Sequence, residues 1–279
     1  MPEYTYRIVN VFADPEAPGK LTGNPLCVFE DARGLNEATM QALAQQFNLS
    51  ETTFVLPSDQ ATATVRIFTP AAELPFAGHP TLGTAHVVRA LGKSGDAVTL
   101  EMKAGVIPVN ARGDDWTLQA NAARTRAPGA DATQIAGVLG VDAREISGAP
   151  LWVDTGSEQL VVPLASPEAV RRCRPDAARM TSEDMARVYV WARAGGSDVL
   201  ARFFMVKHGA LGEDFGTGSA AANLGGWFVA QKAALPVSCV IQQGEPIGRP
   251  ARLRLDVDQR GSIFVGGRVI ELARGTLSL

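Results

Sequence analysis

Short runs of β-branched and aromatic residues, broken every few positions by glycine, proline, asparagine or aspartate, dominate this chain. Only a few stretches carry the 3.6-residue spacing of a helix. Residues 6–12 and 26–29 read as strands, separated by Asp14-Pro15, Ala17-Pro18-Gly19 and Gly23-Asn24-Pro25. Residues 36–47 place Met40, Leu43, Ala44 and Phe47 on one face behind Asn36, a good N-cap, and predict a helix. Residues 50–56 bring Glu51 to the point where a loop enters a strand, and 64–68 form the next strand, closed by Thr69-Pro70. Further strands follow at 98–102, 106–111 and 116–119, with a turn at Arg112-Gly113-Asp114. Residues 125–129 read as a linker around Pro128-Gly129. Beyond it lie helices at 132–139 and 167–173 and strands at 151–153, 159–164, 187–192, 199–206, 237–243, 251–257 and 262–272.

Two helices depart from this pattern because they are small or apolar on nearly every side. The first follows Glu73-Leu74-Pro75-Phe76-Ala77-Gly78-His79-Pro80 and runs over residues 80–91, with proline at its first position and Gly92 past its end. The second follows Glu213-Asp214-Phe215-Gly216-Thr217-Gly218-Ser219 and runs over residues 217–232. A helix with no polar face belongs inside. Gly225-Gly226 costs about 1 kcal/mol per glycine relative to alanine, which predicts close packing against a surrounding sheet. His79 and Ser219 stand 140 residues apart, half the chain length. The expectation is an α+β protein of two similar halves, each a curved sheet wrapped around a central helix. A steady strand–helix alternation, the mark of a doubly wound sheet, is absent. Helix N-termini carry unpaired N–H groups and attract anions, so two of them opening into one cleft would suit a carboxylate.

Composition narrows the function. The 279 residues are 46% apolar and 20% charged with a formal charge of −3, and no long basic run points to nucleic acid or an anionic membrane. No apolar run approaches the ~20 residues of a membrane span, and the N-terminus does not resemble a signal peptide, so a cytoplasmic protein is expected. Cys27, Cys173 and Cys239 form neither an even framework nor a CxxC pair, and the three histidines have no metal-ligand spacing. The chemistry is expected to need no cofactor, metal or thiol.

Singly, the candidate residues are bland. Glu51 could be a solvated loop acid, His79 a helix cap, and Asp214 and Ser219 ordinary helix N-terminal residues. Glu73 and Glu213 read as structural acceptors, and Gly78, Gly216 and Gly218 as sites of close backbone approach or positive φ.

Together they are more informative. Residues 69–85 resemble the hallmark segment of the PhzF-like phenazine biosynthesis family, Gly23-Asn24-Pro25 its early GNP motif, and Ser50-Glu51-Thr52-Thr53-Phe54-Val55 its catalytic-glutamate segment. Residues 213–220 resemble its late EDPATGSA motif, and the matches keep family order over essentially the whole chain. The resemblance implies the diaminopimelate-epimerase-like fold, a homodimer and an active site in the cleft between two domains. It implies an N-terminal domain of residues 1–124 plus 263–279 around helix 80–91, because the last strand returns to it, and a C-terminal domain of 125–262 around helix 217–232. It also implies a cofactor-independent isomerase acting on a small cyclic or amino carboxylate, such as trans-2,3-dihydro-3-hydroxyanthranilate. Glu51 would be the general acid/base, His79, Asp214 and Ser219 would hold polar groups and assist proton movement, and Gly78, Gly216, Thr217 and Gly218 would bind substrate. A carboxylate drawn out of water can both take and return a proton near neutral pH.

Epimerases of this fold use a cysteine pair in CGNG- and CGTG-like turns. Ala77 and Phe215 stand at those positions here, which disfavours a two-thiol racemase. Phe215-Gly216 also replaces the family's usual Pro-Ala, which bears on substrate choice. The alternatives are an amino-acid racemase or epimerase and a non-catalytic metabolite-binding module on the same fold.

Overall fold

The structure, a computed structural model, describes residues 1–207 and 209–279. It divides into two compact units, residues 1–119 with 266–279 and residues 120–265. The first contains β1 (Glu3–Val11), β2 (Asn24–Phe29), α1 (Glu37–Phe47), β3 (Glu51–Leu56), β4 (Ala63–Phe68) and the two-residue β5 (Glu73–Leu74). After these come α2 (Gly78–Ala90), β6 (Ala97–Met102), β7 (Gly105–Arg112) and β8 (Asp115–Gln119). The second holds β9 (Arg124–Arg126), α3 (Ala132–Leu139), β10 (Leu151–Asp154), β11 (Gln159–Pro163), α4 (Pro167–Arg172) and α5 (Ala177–Ser182). It continues with β12 (Arg187–Gly195), β13 (Asp198–Lys207), β14 (Ala210–Asp214), α6 (Gly218–Ala230), β15 (Val237–Gln243) and β16 (Ala251–Val257). The last strand, β17 (Ile263–Ser278), starts in this unit and from Gly266 onward belongs to the first.

In the first unit the strands close on themselves. The order is β1-β2-β3-β4-β6-β7-β8-β17 and back to β1, with β2–β3 and β4–β6 parallel. Closure removes free edges, and α2 threads the barrel. Nine of the thirteen α2 residues are buried, as a helix surrounded by strands requires. Gly83 shows why small residues recur there: a Cβ would lie 2.6 Å from Leu26 Cδ2 and 2.9 Å from Val11 Cγ2. Outside the barrel, α1 buries Met40, Leu43 and Ala44 in a cluster with Phe29, Phe54 and Phe68. The rings of Phe29 and Phe54 stack at 4.9 Å between centroids.

The second unit repeats the design. Strands β9, β10, β11, β12, β13, β15 and β16 pair in that order, β11–β12 and β13–β15 in parallel, and α6 packs on β9, β10, β11 and β16. An outer layer of α3, α4 and α5 covers the other face of the sheet through Ile135, Val138, Leu139, Val170 and Met180. The expected close packing of Gly225-Gly226 is present: Cβ atoms would meet Ile263 Cγ2 at 2.8 Å and Ala123 Cβ at 2.5 Å. Gly226→Ala gains about 1 kcal/mol of helix propensity but overpacks a site that cannot yield. A net loss of about 1–2 kcal/mol is expected, read as a lower urea midpoint with an unchanged slope.

Several local expectations are corrected. Helix α2 begins at Gly78, so His79 lies inside the first turn and is no cap; Ala77 is the N-cap. Asp214 closes strand β14, paired with Phe203, and does not belong to a helix, because the ladder with β13 claims its backbone. Gly78, Gly216 and Gly218 are not among the positive-φ residues, so that half of the expectation does not hold. The predicted linker 125–129 contains part of β9, pairing with β10. Helix α5 and strands β5 and β14 were not expected, and β17 runs on to Ser278. Among the described residues, no helix is long and apolar enough to cross a membrane.

Candidate active site

In the first unit the site is built where β2, β3 and α2 begin. Gly23 has φ +72, and a Cβ there would lie 2.4 Å from the Val11 carbonyl oxygen, so only glycine allows this turn. The turn sets Asn24, fully buried, and Pro25 at the head of β2. Glu51 opens β3 beside Leu26 of β2. His79 Nε2 lies 3.2 Å from Glu51 Oε2, and both side chains are more than four-fifths buried. Beneath them, the hydroxyls of Thr53 and Thr84 are 2.8 Å apart and pin β3 to α2.

Burial pushes the His79 pKa down to about 3, while a hydrogen bond to the Pro25 backbone carbonyl opposes that shift. The imidazole is therefore neutral at pH 7. With Nε2 turned to Glu51, the nitrogen left to donate to Pro25 is Nδ1, which makes Nε2 an acceptor. With neither atom carrying a hydrogen the contact is not a hydrogen bond, and a proton on Glu51 Oε2 would make it one.

The same shift predicts a pH dependence of stability. Unfolded His79 takes up a proton near its ordinary 6.5, whereas the folded state does not until about 3. The unfolded state thus binds more protons between those limits, and stability falls as pH falls through that window at about 1.4 kcal/mol per unit. His79→Gln should remove this share of the slope, which urea unfolding between pH 7 and pH 4.5 will read.

In the second unit the site is built at the start of α6. Asp214 Oδ2 accepts a 2.6 Å hydrogen bond from Thr217 Oγ1. Gln243, on β15, holds both residues: its Nε2 donates to the Asp214 carbonyl at 3.0 Å and to Thr217 Oγ1 at 2.9 Å. Its Oε1 accepts from the Thr217 N–H at 3.3 Å. Because that N–H can only donate, the amide orientation is set, and Thr217 must spend its hydroxyl hydrogen on Asp214. Ser219 Oγ, two residues on, is 2.9 Å from Gln159 Nε2. Phe215 carries the Arg249 guanidinium over its ring at 5.4 Å. As expected, Glu73 and Glu213 are structural: Glu73 pairs with Arg66 at 2.6 Å and Lys103 at 2.5 Å, and Glu213 with Arg202 at 2.7 Å.

The geometry thus brings Glu51 together with His79, and Asp214 together with Thr217. Pro25, Gln159 and Gln243 contribute and had not been singled out individually for such roles. For the two glutamines the one sequence signal is an amide at the end of a largely apolar strand, as in Gln159–Pro163, where a buried amide needs partners. The three cysteines are buried, and burial raises their pKa values, to about 12 for Cys173, to about 11 for Cys239 and further for Cys27. Among the described residues, no group of three His, Cys, Asp or Glu could hold a metal ion.

Residues 9–274 match the family model for phenazine biosynthesis-like proteins. The chain belongs to that family. This phenazine biosynthesis-like protein is 38% identical to an uncharacterized isomerase of Pasteurella multocida, over 98% of this chain and 94% of that one. It is 36% identical to the trans-2,3-dihydro-3-hydroxyanthranilate isomerase of Pseudomonas chlororaphis, over 98% and 99% of the two chains. A phenazine biosynthesis protein of the PhzF family from Bacillus anthracis, 22% identical, shares the fold with a TM-score of 0.86 over the full length of both chains. The α+β, diaminopimelate-epimerase-like fold expected from the sequence is the fold of this protein, and the protein is an isomerase by family.

Proposed function

We propose that Glu51 carries the proton in a cofactor-independent isomerisation of a small cyclic amino carboxylate of the dihydrohydroxyanthranilate type. The observation that carries this reading is the buried Glu51–His79 pair at 3.2 Å with a neutral imidazole. In it the Glu51 carboxylate removes a proton from one ring carbon and returns it at another, so that a C–H bond breaks, another forms and the double bonds shift between them. No electrons are gained or lost overall. Neutral His79, oriented by Pro25, offers Nε2 as the acceptor for the protonated Glu51 carboxyl and stays neutral itself, so no charge is added to a buried site. Asp214, Thr217 and Ser219, with the backbone of Gly78, Gly216 and Gly218, hold the substrate's polar groups. The isomerases named among the relatives support this substrate class.

The direct test is incubation with trans-2,3-dihydro-3-hydroxyanthranilate, followed by NMR. Conversion to its keto isomer without added cofactor supports the reading, and an unchanged substrate after long incubation with folded protein contradicts the substrate assignment. A thiol-based racemase is the second reading, and the buried, high-pKa cysteines speak against it. Isomerase activity is accordingly expected to survive iodoacetamide in full, and stoichiometric inactivation would favour the thiol mechanism. The homodimer expected from family resemblance and the cytoplasmic location expected from the sequence belong to the same proposal, with sedimentation equilibrium as the check on the oligomeric state.

A further inference from the structure

The hydrogen-bond directions beneath Ser219 are dictated by backbone groups. The Thr155 N–H can only donate, so the atom of Asn223 that meets it at 3.0 Å is the oxygen, Oδ1. The Thr155 hydroxyl donates to the same oxygen at 2.7 Å. The amino end of Asn223 must then face the other way, and there it donates to the Ser157 carbonyl, which can only accept, at 2.8 Å. The same amino group donates to Gln159 Oε1 at 2.8 Å. With its oxygen engaged there, Gln159 turns Nε2 to Ser219 Oγ at 2.9 Å. An amino hydrogen can only be donated, so Ser219 accepts from below and its own hydroxyl hydrogen is left for a partner above.

We propose that Gln159 and Asn223 are positioning residues that hold Ser219 as an outward-facing hydrogen-bond donor, set for the substrate carboxylate. This rests on the reading of Ser219 as a substrate contact given above. Gln159 and Asn223 are 1% and 0% exposed, so no water can substitute for a lost bond if either amide rotates. The chain from Thr155 to Ser219 therefore has one polarity. The Ser219 hydrogen is thereby offered to a group that accepts, as a carboxylate does.

The experiment has two arms. Neutron diffraction from deuterium-exchanged wild-type protein reads the polarity without any substrate. It should show both deuterons on the Gln159 nitrogen, one aimed at Ser219 Oγ, and the Ser219 deuteron aimed away from Gln159. A Ser219 deuteron lying on the line to Gln159 would overturn the proposal. The second arm uses Gln159→Glu, whose carboxylate can only accept, so it draws the Ser219 hydrogen inward and leaves lone pairs facing the substrate. With trans-2,3-dihydro-3-hydroxyanthranilate as probe, KM should rise roughly tenfold or more at about pH 8, with a smaller effect on kcat. That defect should shrink as pH falls, because the protonated carboxyl donates again. Gln159→Met and Ser219→Ala should raise KM with no such recovery relative to wild type. A pH-independent defect in Gln159→Glu would make the role merely structural and sink the proposal. If the deuterons lie as expected but Ser219→Ala leaves KM unchanged, the reading of Ser219 as a substrate contact fails, and this proposal fails with it. If wild-type protein does not turn over the probe, the substrate assignment fails instead, while the neutron arm still decides the polarity.

Discussion

Glu51→Gln is expected to lower kcat by about 10²–10⁴-fold, the usual contribution of a positioned acid/base group, while leaving KM near its wild-type value. The carboxamide matches the carboxyl in size and can donate to His79 Nε2 as the protonated acid would, so the 3.2 Å contact and its surroundings can persist. What it cannot do is release a proton and take one back. The backbone of residue 51 pairs with Leu26, and this pairing does not depend on the side chain. An unfolding midpoint close to wild type should therefore accompany the loss of turnover. A large fall in both stability and activity would instead make Glu51 a structural residue.

Arg202→Met is expected to be the most damaging single change to stability, by about 3–5 kcal/mol, the range for breaking a buried ion pair by removing one partner. Arg202 is 5% exposed and holds Glu213 through two hydrogen bonds of 2.8 and 2.7 Å. Its Nη1 also donates to the carbonyls of Val170, Arg171 and Cys173 at the end of α4, at 3.2, 3.2 and 2.9 Å. The guanidinium lies over Phe204, 4.5 Å from the ring centroid. Methionine fills part of the volume but leaves a buried carboxylate without its partner, while the three carbonyls keep donors in the Cys173 N–H and Arg174. Arg202→Met combined with Glu213→Leu should recover much of the loss, since an apolar pair avoids the stranded charge. Chemical denaturation of the two variants measures both effects, and equal losses in the single and double variants would contradict the account.

The parts of this protein that were legible in its sequence are those whose cause is local. The apolar, glycine-bearing helices around Leu82 and Leu224 announce a buried position by composition alone, and Gly83, Gly225 and Gly226 each sit where a Cβ would collide. Asn36 caps α1 through its side chain at 2.9 Å, as its type and place suggest. The parts that were not legible depend on distant partners. The three residues of β9 are a strand only because β10 lies alongside, and α5, six residues long, is held by its Asp176 cap and by Met180 in the core. Asp214 looked like a helix residue because nothing near it in sequence discloses the ladder with Phe203. At the candidate site, the residue types of Glu51, His79, Asp214 and Ser219 were conspicuous only as a set. The amides that orient them were not: Gln159 meets Ser219 across 60 residues, and Gln243 meets Thr217 across 26. Such bonds follow from how strands are placed and leave no periodic trace.

The central claim is that Glu51 carries the transferred proton, and isomerisation of trans-2,3-dihydro-3-hydroxyanthranilate in D2O tests it most directly. Wild-type protein is predicted to yield the keto isomer, followed by NMR, with solvent deuterium on carbon to the extent that the proton held by Glu51 exchanges before its return, and Glu51→Gln, folded under the same conditions, to yield neither product nor deuterium over the same time. Isomerisation and deuterium incorporation that continue undiminished in Glu51→Gln would contradict it.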